Sequence, residues 1–354
     1  MKHEVNKGRG ATLHIEGRFE GVVRERFDDG WATPEEEGPR LQTSVTLERA
    51  KSILQKQDSP DLAFEHSLNA YRGCEHGCIY CYARPSHAYL NLSPGLDFES
   101  QLFAKPDAAK LLRAELARPA YRCSPIALGV NTDSYQPIER ELKIVRQILE
   151  VLVECRHPVS IVTKSALIER DLDLLAQLAR DDLVQVFITV TTLDGALARK
   201  LEPRAASPQR RLRVIRNLQT AGVPCGVFVA PVIPFLTDAE LEDILQAAAA
   251  HGADSAAYTL LRLPYELKGL FKDWLATHYP QKAEHVMARL REMRAGREND
   301  AQFGSRFRGQ GQFAQLLAQR FRLACARNGL VRPPAALDST HFRAPGKDGQ
   351  LALF

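Results

Sequence analysis

With 354 residues and 45% hydrophobic content, the chain is long enough to bury a full core as one large domain or two ordinary ones. No stretch approaches the roughly 20 uninterrupted apolar residues of a bilayer span, and Met1-Lys2-His3 leads into charged, Gly-containing sequence instead of an apolar signal segment. The expectation is a soluble, cytoplasmic protein with no membrane partner. A net charge of +4 argues only weakly for an anionic partner, so the distribution of charge matters more than its sum.

Residues 1–60 read as an N-terminal extension. They mix charge, Gly and Pro ("KGRGA", "DDGWATPEEEGP") without a sustained period, which suits an extended arm with at most a short strand. Residues 61–265 change to short β-rich apolar runs separated by helical stretches. After an apparent strand, "HSLNAYRG", the runs are "SPIALGV", "PVSIVTK", "LVQVFITV", "PCGVFVA" and "SAAYTLL", recurring at roughly 30-residue intervals as strand-helix units do.

The helices between them are legible. Ile138, Leu142, Val145, Leu149 and Leu152 lie along one helical face. Ser207-Pro208 predicts an N-cap followed by Pro at the first helical position, Gly222 a helix stop, and Thr237 with Glu240 a capping box. Parallel strands covered by helices follow, as an open doubly wound sheet or a whole or partial (β/α) barrel, with ligands expected at the carboxyl ends of the strands.

Residues 266–340 read as a C-terminal basic helical region. Between 282 and 332 there are eleven Lys and Arg against four Asp and Glu, which is either a solvated helical face or an electrostatic footprint for nucleic acid. Residues 341–354 form a tail ending in "GQLALF".

Seven cysteines are no disulfide framework. Cys123, Cys155, Cys225 and Cys325 stand singly among apolar neighbours and read as small buried hydrophobes. Cys74, Cys78 and Cys81 are different: they form C-x3-C-x2-C in "GCEHGCIYCY", just after the first apparent strand. Tetrahedral zinc would need a fourth group, for which His76 or His87 could serve. A [4Fe–4S] cube suits three thiolates better, because three irons are held and the fourth is left open.

C-x3-C-x-aromatic-C, with Tyr80 as the aromatic, resembles the signature of the radical S-adenosylmethionine (SAM) superfamily. The resemblance implies a partial (β/α)6 TIM-like radical SAM barrel, with the N-terminal extension before it and the helical region after it. It also implies that Cys74, Cys78 and Cys81 bind a [4Fe–4S] cluster whose open iron takes SAM. Reductive cleavage then yields a 5′-deoxyadenosyl radical that abstracts hydrogen from a substrate, with a low-potential ferredoxin or flavodoxin as electron donor.

Within the superfamily, "NTDSYQPIE" (131–139) and "VTKS" (162–165) resemble spore photoproduct lyase and its DNA-repair-photolyase-like relatives. By that resemblance Thr132 and Asp133 are polar groups around SAM, Lys164 meets the SAM carboxylate, and Thr189 is a SAM-contacting hydroxyl or a strand-face residue. Tyr80 and Tyr82 flank the third cysteine as in the lyase, to pack over adenine or cluster or to relay a hydrogen atom. Val232 and Ile233 match a segment along the adenine, or are ordinary core. The usual acidic glycine-rich motif is replaced by "NTD", and Asn131 stands where the lyase carries its hydrogen-donating cysteine.

The expected function is therefore a radical SAM enzyme acting on DNA in a repair or lyase-like reaction. Modification of RNA, a protein or a small metabolite, and a non-catalytic metal protein that binds nucleic acid, are the alternatives. Gln350, Leu351, Leu353 and Phe354 resemble the QL-small-LF peptide with which bacterial DNA-processing proteins dock on the replicative sliding clamp. The alternative is a tail folded back on its own domain.

Overall fold

A computed structural model describes residues 9–19, 42–330 and 337–346. Its strands are, in chain order, β1 (Ser44–Leu47), β2 (Leu54–Lys56), β3 (His66–Leu68), β4 (Tyr71–Arg72), β5 (Gln101–Ala104), β6 (Ile126–Leu128), β7 (Val159–Thr163), β8 (Val184–Thr189), β9 (Cys225–Val232) and β10 (Ala256–Leu260). The main sheet has the order β10-β9-β8-β7-β6-β3-β2. Six of its strands are parallel, and β2 caps the β3 edge antiparallel. This is the partial six-stranded (β/α) barrel expected from the sequence. β7 and β8 are Val- and Ile-rich, and β8 is buried on both faces but for Phe187, as strands covered by crossover helices must be.

The helices bury the stripes their sequences carry. Ile144–Glu154 turns Val145, Ile148, Leu149 and Leu152 inward, and Pro208–Thr220 does the same with Leu212, Ile215 and Leu218. Ser207 caps the latter by accepting from the Arg210 N–H at 3.4 Å, and Gly222, at φ 74°, terminates it.

Three local expectations are corrected. The helical face from Ile138 to Leu152 is interrupted: Glu139–Leu142 is a separate turn, and Lys143 adopts φ 52° before Ile144–Glu154 begins. The cause is Glu139, a buried carboxylate that accepts from the Val145 N–H at 3.1 Å, from Arg170 at 2.8 Å and from the Tyr71 hydroxyl. The capping box does not form. Thr237 Oγ1 accepts from the Ile233 N–H at 2.9 Å, and Glu240 reaches back to the Thr192 hydroxyl and the Leu193 N–H. Finally, "HSLNAYRG" divides into β3 and β4, and β4 leaves the main sheet for a side sheet of order β1-β5-β4.

Arg9 to Thr12 of the N-terminal extension lie buried against the cysteine segment. A Cβ at Gly10 would fall 1.8 Å from the Gly77 carbonyl oxygen, so only glycine permits this approach. Glu99 fastens the arm, accepting from the Gly10 and Ala11 N–H groups at 2.9 and 2.8 Å. It also pairs with Arg84, and both side chains are wholly buried. Arg84 spends its other donors on the carbonyls of Gly77, Cys78, Pro94 and Gly95.

The C-terminal helices Leu267–His278, Pro280–Glu292 and Gly311–Arg327 close the structure. Trp274 is fully buried, its indole N–H donating to the Lys200 carbonyl at 3.1 Å, and side chains from Ala11 to Leu330 share one apolar core. Among the described residues, no helix is long and apolar enough to cross a membrane. Glu99→Ala leaves the Arg84 cation buried without its partner, and it should destabilise the protein by roughly 3–5 kcal/mol in denaturant unfolding. It should also increase proteolysis within residues 9–19.

Candidate active site

The carboxyl edge of the parallel sheet collects the residues that sequence reasoning singled out. The cysteine segment follows β3 and β4, Thr132 and Asp133 follow β6, Lys164 follows β7, and Thr189 ends β8. Within the segment the Gly77 N–H donates to the Cys74 carbonyl at 3.3 Å and the Cys81 N–H to the Cys78 carbonyl at 3.2 Å, coiling the three thiols into two tight turns. Cys74 and Cys78 are buried and Cys81 is half-buried. Burial pushes both buried thiols up, Cys78 to about 12; for Cys74, Asp133 and the two neighbouring thiols add to the effect. Such sulfurs become thiolates only when a cation replaces the proton.

The segment is held from several sides. Gln136, fully buried, accepts from the Glu75 N–H at 2.9 Å and donates to the Gly73 carbonyl at 3.2 Å. The Ile79 N–H donates to the Leu201 carbonyl at 3.0 Å, and Arg204 pairs with Glu75 at 3.0 Å.

Asp133 accepts from the Thr163 hydroxyl at 2.6 Å and from the N–H groups of Lys164 and Tyr135, both at 2.9 Å. His76 Nδ1 lies 3.4 Å away. Burial alone would push this carboxyl up. His76, Lys164 and the hydrogen bonds outweigh it and hold Asp133 well below the usual carboxylate range. Thr132 donates to the Tyr71 carbonyl at 3.2 Å. Both residues therefore tie strand ends together, and their polar atoms are largely spent on the protein.

Lys164 is different. Among the described residues its ammonium closes no hydrogen bond or ion pair, although Cys78, Glu202 and Asp133 are its electrostatic neighbours and, against the effect of burial, raise its pKa. Thr189 is buried, and its carbonyl accepts from Arg211 at 3.1 Å while its hydroxyl makes no hydrogen bond among the described residues. Val232 and Ile233 are buried within the apolar core.

Tyr80 and Tyr82 diverge. Tyr80 is buried, its hydroxyl bonded to Glu202 and 3.2 Å from Thr191 Oγ1. Tyr82 is 44% exposed, with its hydroxyl on the Val130 carbonyl. Asn131 is exposed, and its N–H donates to Asn69 Oδ1 at 3.0 Å.

The Tyr80 partners went unseen in the sequence. Glu202 pairs with the buried Arg211 and accepts from Thr191 at 2.7 Å. Burial favours the neutral acid, but Arg211, Lys164 and the hydrogen bonds from Arg211 and Tyr80 prevail, leaving the Glu202 carboxyl at about 2. "KLEPR" has no spacing that marks a site, so no sequence signal identifies this clamp.

Zinc and an iron–sulfur cube make different demands on this donor set. His76 faces Asp133, and His87 Nε2 lies 2.9 Å from the Gln101 carbonyl oxygen, so neither nominated histidine is placed as a fourth zinc ligand. Among the described residues, no three His, Cys, Asp or Glu side chains converge on a single ion. A cube bound at separate corners has no need of such convergence, and three neighbouring thiols beside an unpaired ammonium fit a cluster with a carboxylate-bearing fourth ligand.

The sequence profile of the radical SAM superfamily matches residues 68–248, half of the chain. The chain belongs to this superfamily, which uses a [4Fe–4S] cluster and SAM. It is 40% identical over 246 residues to an uncharacterized protein of Mycobacterium tuberculosis, covering 69% of this chain and 71% of that one. An uncharacterized protein of Methanocaldococcus jannaschii is 30% identical over 176 residues, 50% of this chain and 63% of the relative. Among solved structures, spore photoproduct lyase with bound AdoMet and dinucleoside spore photoproduct has the same fold. The match has a TM-score of 0.59 at 16% identity over 80% of this chain and 79% of that one.

The folded Glu202 carboxyl lies below its usual 4.5, so the stability it contributes is complete above about pH 4.5 and lost as pH falls toward about 2. Glu202→Gln should flatten that part of the stability curve in urea titrations between pH 5 and 2.5, and an unchanged slope would count against the clamp.

Proposed function

We propose that the chain is a radical SAM enzyme acting on nucleic acid, with Cys74, Cys78 and Cys81 holding the [4Fe–4S] cluster and SAM completing it. The observation that carries this reading is the gathering of three thiols and the unpaired Lys164 ammonium at the carboxyl edge of one parallel sheet. When bound, the cluster and SAM supply reductive cleavage of the sulfonium and abstraction of a substrate hydrogen atom. An external low-potential donor, of ferredoxin or flavodoxin type, provides the electron.

The chain's own residues bind, orient and exclude water. Lys164 offers a point charge to the SAM carboxylate, and its backbone is fixed by Asp133. Asp133 and Thr132 act through the strand ends they join, while the free Thr189 hydroxyl serves as a direct polar contact. Tyr80 keeps its proton toward Glu202, which suits a packing role beside the cluster better than relay of a hydrogen atom. Tyr82, half-exposed, faces the substrate side. In this reading the chain divides into an N-terminal extension (1–60), whose residues 9–12 brace the cysteine segment, a catalytic core (61–265), a C-terminal basic region (266–340) and a tail (341–354).

For the substrate class, the support is electrostatic. Of the basic residues in the C-terminal region, Lys282, Arg289, Arg291, Arg294, Arg306 and Arg320 are engaged with carboxylates or carbonyls. Arg297, Arg308, Arg322 and Arg327 are exposed and close no ion pair among the described residues, leaving a smaller basic face than composition suggests. Asn131 in place of the lyase's cysteine argues for a reaction other than thymine-dimer reversal by that route. The clamp-binding peptide Gln350–Phe354 lies outside the described residues. It complements this reading and is tested by sliding-clamp binding before and after its deletion.

Anaerobic reconstitution tests the chemistry. Cys78→Ala should lose iron, the visible cluster absorption and formation of 5′-deoxyadenosine, whereas Cys225→Ala should retain all three; a loaded and active Cys78→Ala protein sinks the assignment. Lys164→Ala should weaken SAM binding at least tenfold with iron content held. Affinity for DNA should fall as salt rises, and an affinity indifferent to salt would remove the nucleic-acid reading.

A further inference from the structure

Just past the carboxyl end of β10, Arg262 sits half-buried with its guanidinium carbon 5.9 Å from the Tyr82 ring centroid and 5.0 Å from that of Phe307. Arg306 continues the row, 4.7 Å from Phe307 and 4.8 Å from Phe303. Planar groups thus alternate, aromatic and guanidinium, from the residue next to Cys81 out to Phe303, which is 59% exposed.

This row is rigidly built. Arg294, almost wholly buried, donates to the Arg306 carbonyl at 2.7 Å and the Leu261 carbonyl at 2.8 Å, stapling the 305–307 segment to the end of β10. The Leu260 N–H donates to the Phe307 carbonyl at 2.9 Å, and Arg306 pairs with Asp61 at 2.7 Å. Arg262 alone in the row is left without such use. Among the described residues it closes no hydrogen bond or ion pair, and its Nε is buried without an acceptor. The carboxylates that influence it are occupied: Asp61 by Arg306 and the Gly304 N–H, Asp300 by the Gln302 N–H and the Ser305 hydroxyl. A desolvated donor with no acceptor is a cost to the fold that an arriving anion removes.

We propose that Arg262 is the substrate-side anion anchor of this site, gripping a phosphate of an unstacked or single-stranded nucleotide whose bases lie against the Tyr82–Phe307–Phe303 row. The inference rests on the nucleic-acid reading above and deepens it. A guanidinium fork matches two phosphate oxygens, and aromatic faces accept any base without reading its edge. A row that starts at the surface and ends beside Cys81 leads a strand toward the place where hydrogen abstraction occurs.

The test is fluorescence anisotropy of a fluorescein-labelled oligothymidylate with the anaerobically reconstituted protein. Arg262→Ala should weaken binding about tenfold and reduce the slope of log affinity against log salt by roughly 0.7, the share of one phosphate contact on a single strand. Arg262→Lys should restore the slope but only part of the affinity, because the fork and its stacking are lost. Phe303→Ala, an exposed change with little effect on folding, should also weaken binding, while Arg122→Ala at the opposite end of the sheet should not. Iron content reports that each variant is folded and loaded. Wild-type affinity and slope in Arg262→Ala overturns the proposal, as does a variant that loses SAM binding and keeps the oligonucleotide. If the wild-type protein loads iron and cleaves SAM but ignores the oligonucleotide, the nucleic-acid reading fails and this inference with it.

Discussion

The structure depends on how a stretch of chain with almost no regular secondary structure is kept in one shape. Residues 73–82 make few sheet or helix hydrogen bonds, and their thiols lie in a poorly solvated region where stray polar groups are costly. The solution is a set of ion pairs, two of them fully buried and one reaching the surface through Arg204, gripping the segment from different parts of the chain. Arg84 with Glu99 works from the helical turns that precede β5, Arg204 with Glu75 from the loop after the helix Gly195–Leu201, and Arg211 with Glu202 through the Tyr80 hydroxyl. Each pair satisfies its remaining donors on nearby carbonyls or hydroxyls, the condition under which buried charge is tolerable.

The same economy of polar atoms distinguishes residues whose side chains are spent on the protein from those whose side chains are not. Asp133, Thr132, Gln136 and Glu202 have their hydrogen-bonding capacity consumed by the protein, so they fix geometry. Lys164, Thr189 and Arg262 keep theirs, so they are available for a partner. Proximity to the cysteines alone does not separate these two groups, since Asp133 and Lys164 are both near the thiols; the inventory of satisfied donors and acceptors does.

The barrel was legible in the sequence because its strands are β-branched runs at regular spacing and its helices carry apolar stripes, both local properties. The cysteine triad was legible because its three thiols share one short segment. Glu139 defeated the reading of its helix, since a carboxylate recruited by Tyr71 and Arg170 breaks a pattern that periodicity alone continues. Thr237 and Glu240 carry the letters of a capping box, yet each found a better partner in the tertiary fold. Glu202, Arg211 and Arg262 have no local signature at all: 122 residues separate Glu202 from Tyr80, Arg262 lies farther still from Tyr82, and only the closed sheet edge brings them together. The excess of positive charge in the C-terminal region was real, but ion pairs absorb much of it.

The close passage of Gly10 over the Gly77 carbonyl has an implication for assembly. Gly10 precedes Glu99 by 89 residues, so it finds its seat only once Glu99 has been made, and the Tyr80 side is secured later still, when Arg211 arrives. Until those contacts are made, the segment carrying Cys74, Cys78 and Cys81 lacks the braces that hold it in the folded chain. In the finished fold the backbone at Gly10 lies across the Gly77 turn, so one flank of the cysteine segment is closed by the chain itself.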